Sequence, residues 1–192
     1  MYTREWLIAK TRFYQDFGFF EEYIGLSDDE LADEIIRLRQ AETRTDISKL
    51  FIPGWDVLLV PLDKKRVLRA AADILYAEYP NPYNFDSLVE TIQKLSAISR
   101  GAFLPQNIQE VSPGTISFIL NGDQYSLIPD GAPNDPLILA SQINPMILKT
   151  GYQFKQHNAS PDIFLYVMTS EEVKRLGWKF LADGCFMNSY PT

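Results

Sequence analysis

The sequence predicts an α+β fold, with a helical N-terminal half packed with a small, mainly antiparallel sheet of about four strands in the C-terminal half. Three observations carry that expectation. Apolar residues recur at helical spacing through roughly the first hundred positions. The period shifts toward two beyond about residue 113. Hydrophobic residues make up 46% of the chain and aromatic residues 13%, ample for a packed core. At 192 residues, one domain spanning 1–192 is expected, with a soft internal boundary near 104–113 where helices give way to strands.

Each element has a local reason. Leu7, Phe13, Phe17, Phe20 and Ile24 share one face of an amphipathic segment from about Thr3 to Phe20, interrupted by Gly18 and Gly25. Ser27-Asp28-Asp29-Glu30 matches a capping box, and the helix it opens turns Leu31, Ile35 and Leu38 inward. From Thr43 to Leu62 the pattern loosens into a loop and a short buried segment. Asp63 is expected to cap a helix with Val67, Ala71, Ile74 and Leu75 on its core face, ending before Pro80. Asp86 is expected to cap the next helix, with Leu88, Val89, Ile92, Leu95 and Ile98 inward and Gly101 as its stop.

Thr115 to Leu120 reads as a strand, and Asn121-Gly122 as a tight hairpin, because both residues tolerate positive φ. Gln124 to Ile128 returns. Pro136 opens a helix to about Leu148, closed by Gly151, with Pro145 expected to kink or break it. Tyr152–Gln156 and Asp162–Met168 read as strands around a loop at His157–Pro161. Thr169-Ser170-Glu171-Glu172 repeats the capping-box pattern and starts a helix to roughly Leu176.

The charge distribution is the main functional signal. Phe13 to Ile36 holds eight acids (Asp16, Glu21, Glu22, Asp28, Asp29, Glu30, Asp33 and Glu34) and no lysine or arginine. The remaining 168 positions hold 17 acids and 18 bases, so essentially all of the net charge of −7 sits in one block. That balance disfavours nucleic acid as a ligand, since phosphate needs a basic surface. No membrane partner is expected either, because no uncharged run is long enough to span a bilayer. The first twenty residues interleave charges with apolar positions, unlike a secretory signal. With a single cysteine, Cys185, the expected location is the cytoplasm.

Catalytic patterns fail one by one. His157 is the only histidine, which removes paired-imidazole metal sites, and its predicted polar loop offers no nucleophile. Cys185 has Lys179 as its nearest base in sequence and reads as a small buried residue. Pro161-Asp162 with Glu172-Val173-Lys174 matches a metal-dependent nuclease pattern, but Glu172 and Lys174 fall in a helix rather than on a neighbouring strand. No glycine-rich phosphate loop and no nucleophile elbow occurs, and no cofactor is expected.

Two runs, Ile98-Ser-Arg-Gly-Ala-Phe-Leu-Pro-Gln-Asn-Ile-Gln-Glu110 and Ser117-Phe-Ile-Leu-Asn-Gly-Asp-Gln-Tyr-Ser-Leu127, resemble small uncharacterised bacterial proteins encoded beside toxins. They cover about an eighth of the chain. The resemblance implies a bacterial protein of the immunity type and carries no functional residue with it.

The expected function is therefore non-enzymatic binding of a basic protein partner, such as a toxin, through an acidic surface. Glu21, Glu22, Asp29, Asp33 and Glu34 would supply the field and Tyr23 an aromatic anchor. First-turn acids also have a purely structural role against the helix dipole, and Asp33 could pair with Arg37 at i,i+4. Glu21 and Glu22 add to the same field with no counter-charge until Arg37. Two alternatives stand beside this reading. One is a metal-dependent hydrolase using Asp162 and Glu172. The other is a self-associating subunit using Trp55, the aromatic N-terminus and the tail Phe186–Tyr190.

Overall fold

The computed structural model describes residues 3–43, 59–72, 87–129, 135–159 and 162–182. Among the described residues, five α-helices accompany six strands in two antiparallel three-stranded sheets, so the α+β class holds. In chain order the elements are α1 (Arg4–Gln15), α2 (Asp28–Thr43), β1 (Val67–Ala72), α3 (Leu88–Ile98), β2 (Gln106–Ser112), β3 (Thr115–Leu120), β4 (Asp123–Leu127), α4 (Pro136–Ile147), β5 (Tyr152–Ala159), β6 (Asp162–Thr169) and α5 (Ser170–Ala182).

The first sheet has the order β1-β6-β5, and its central strand explains how the two halves pack. β6 reads Asp-Ile-Phe-Leu-Tyr-Val-Met-Thr, an almost unbroken apolar run of the kind a strand needs when both faces are covered. Leu165 and Val167 face one core with α3, α4, β3, Phe103 and Phe154. Phe164, Tyr166 and Met168 face the other with α1, α2, Leu59–Leu62 and Leu176 of α5. The period-two alternation of a single strand thus seats a core on each side. The N-terminal helices cover one face of this sheet.

The second sheet, β2-β3-β4, adds to the first core. Its β3–β4 hairpin turns through Asn121 (φ 55°) and Gly122 (φ 91°), the two left-handed positions that this tight turn demands. Asn144 ties α4 to β5: its side chain donates to the Phe154 carbonyl at 3.1 Å and accepts the Phe154 N–H at 2.7 Å. Pro145 does not end α4, which continues to Ile147 before tightening into a 3-10 turn at Leu148–Thr150. No described helix is long and apolar enough to cross a membrane.

Several expectations need correction. The segment Val67–Ala72 is a strand rather than the start of a helix, because it pairs with β6 from Val67↔Tyr166 to Ala72↔Asp162. Asp63 opens no helix: it closes the 3-10 turn Val60–Leu62, its N–H donating to the Val60 carbonyl at 3.1 Å; Ile74 and Leu75 lie outside the described residues. The cap of α3 is Ser87, whose hydroxyl accepts the Glu90 N–H while Glu90 bonds back to the Ser87 N–H. Position 86 lies outside the described residues. β2 occupies what reads as a linker, and its mostly exposed side chains explain why no alternation marks it. β5 runs through to Ala159, so His157 is a strand residue opposite Phe164 rather than part of a loop. α1 stops at Gln15, so the helical period does not reach Ile24, which is 57% exposed.

Candidate functional site

The acidic block occupies the connection between α1 and α2 and the first turns of α2. The Ser27 capping box forms as expected: Glu30 accepts the Ser27 N–H at 2.9 Å, and the Ser27 hydroxyl accepts the Glu30 N–H at 3.4 Å. The Ser27 hydroxyl, donating to the Glu30 carboxylate at 2.7 Å, and then the Ser27 N–H hold that carboxyl below the usual range.

The connection itself is strapped by side chains of α1. Arg12 donates to the Leu26 carbonyl at 2.7 Å, the Ile24 carbonyl at 3.3 Å and Asp28 at 3.0 Å. Gln15 donates to the Phe20 carbonyl at 3.1 Å. Phe20 is buried in a left-handed conformation (φ 54°), and its N–H donates to the buried Asp63 carboxylate at 2.6 Å. A second Asp63 oxygen accepts the Lys65 N–H at 3.1 Å. Burial nevertheless pushes the Asp63 carboxyl up.

The predicted open acidic field is partly closed by cations that sequence order does not reveal. Arg4 bridges Asp29 (3.1 Å) and Asp33 (2.7 Å) with one guanidinium and also donates to the Asp29 carbonyl at 2.6 Å. Its hydrogen bond holds Asp33 below the usual carboxylate range. Asp33 therefore pairs with Arg4 and not with Arg37, which takes Glu34 instead. Lys65 pairs with Glu22, and Arg12 with Asp28. Among the described residues, these four cations engage five of the eight carboxylates. Asp29 and Asp33 remain 86% and 72% exposed in spite of their shared arginine.

Tyr23 is half-buried with its ring stacked on Phe20. Burial, then the adjacent Glu22, pushes its hydroxyl well above the ordinary phenol range. Glu21 turns toward a different neighbour. Its Oε1 and the Arg100 Nη2 each approach to 2.9 Å of the place a Cβ would take on Gly18.

Arg100 belongs to a second, more buried charged cluster. Arg100 donates to Glu172 at 2.6 Å with side chains only 18% and 15% exposed, and lies over the Tyr152 ring. Glu172 also accepts the Thr169 N–H at 2.7 Å, while the Thr169 hydroxyl accepts the Glu172 N–H at 3.1 Å. Burial pushes the Glu172 carboxyl up, but the Thr169 N–H and Arg100 outweigh it and leave it below the ordinary value. Arg66 packs over Phe19, and burial followed by repulsion from Arg100 brings it down to about 10.

No protein-family model, curated protein or solved structure matches this chain.

The hydrolase constellation is not assembled. Asp162 opens β6 and Thr169 closes it, seven residues on, which places Asp162 about 23 Å from the start of α5 at ~3.3 Å per strand residue. Glu172 is already committed to the cap and to Arg100, and Lys174 is exposed two positions further along the helix. Among the described residues, no group of three or more histidine, cysteine, aspartate or glutamate side chains could hold a metal ion. Cys185, Trp55 and Phe186–Tyr190 lie outside the described residues.

Sequence reasoning missed Arg4, Arg12 and Lys65 because they approach from 16 to 43 positions away. The helix-spacing rules that locate i,i+4 partners cannot reach them.

Proposed function

We propose that the chain is a non-enzymatic protein-binding module that meets a basic protein partner through the acidic surface of the α1–α2 connection and the first turns of α2. Its most concrete form is an immunity-type protein occluding a cationic toxin surface. One observation carries this reading: a single guanidinium serves both Asp29 and Asp33 and leaves them largely exposed. The internal cations position these carboxylates without matching them one for one, and a residual negative field remains to steer a basic partner. Exposed Ile24 sits within the same strapped loop and supplies an apolar contact beside the acids.

Charge reversal at Asp29 and Asp33 would set two new cations against Arg4 and disturb the packing of α1 on α2. The neutral pair Asp29→Asn with Asp33→Asn is the better test. A tagged native chain is expected to retain a basic protein from host lysate that salt releases, and the double variant is expected to lose most of it. Equal retention by folded native and variant chains would reject this surface.

A further inference from the structure

We draw no further inference here: the strongest candidate, the outer face of the second sheet, where uncharged Gln109, Thr115, Ser117, Gln124 and Ser126 lie between exposed Val111 and Ile128, carries nothing because nothing in the structure shows what covers it.

Discussion

Arg4 and Arg100 each grip carboxylates, Arg4 at the surface between α1 and α2 and Arg100, more buried, at the start of α5. Around Arg4 the acids outnumber the cation and face water. Around Arg100 a single ion pair, to Glu172, is mostly buried. Water screens the first arrangement, so its pairs can loosen and reform as a partner approaches. The second has little solvent to replace a lost partner, so breaking it leaves a stranded charge. The same chemistry thus serves recognition in one place and architecture in the other.

The largest effect is expected at Glu172. Glu172→Ala removes the α5 cap and leaves Arg100 unpaired, a loss of about 3 kcal/mol in urea unfolding, at the low end for a buried pair because some solvent reaches it. Glu172→Gln keeps a capping acceptor and is expected to lose roughly 1 kcal/mol. Equal losses for the two variants would mean that the capping bonds contribute nothing beyond the ion pair.

Gly18 lies against the second of these regions. It sits at φ 75°, and a Cβ there would meet Glu21 on one side and Arg100 on the other. Gly18→Ala is expected to cost on the order of 1–2 kcal/mol, mostly from the left-handed backbone. An unchanged unfolding midpoint would contradict that.

Acid titration separates the groups by sign. Glu172, held below its ordinary 4.5, contributes stability that is present above pH 4.5 and is lost as pH falls through its folded value. Asp63, held above its ordinary 3.8, acts in reverse: between 3.8 and its folded value the native state binds the extra proton, so its contribution grows as pH falls. Glu172→Gln is therefore expected to flatten the acid limb of a stability–pH curve, and Asp63→Asn to steepen it. Parallel curves for the two variants would overturn this assignment.

What was legible in the sequence was local. The Ser27–Glu30 and Thr169–Glu172 boxes lie within one helical turn, and both form as read. The Asn121-Gly122 hairpin is equally local. β1 was not legible, because Val-Leu-Arg-Ala-Ala-Ala favours a helix in isolation and becomes a strand only by pairing with β6, about a hundred positions away. The acidic candidates were legible as a charge run. Their counter-ions were not, since Arg4 and Arg12 reach them only once α1 lies against α2 and Lys65 only once its turn packs there.

Recognition through an excess of exposed carboxylates makes opposite demands on the two sides of the Arg4 cluster. The direct measurement is the association rate of the recovered basic partner with the native chain, Arg4→Gln and the Asp29→Asn/Asp33→Asn double variant across ionic strength. The native rate is expected to fall about tenfold or more from low to high salt, with Arg4→Gln faster than native and the double variant slower at low salt, all three converging when screened. Three rates that coincide at low salt, or a native rate indifferent to salt, would contradict the proposal.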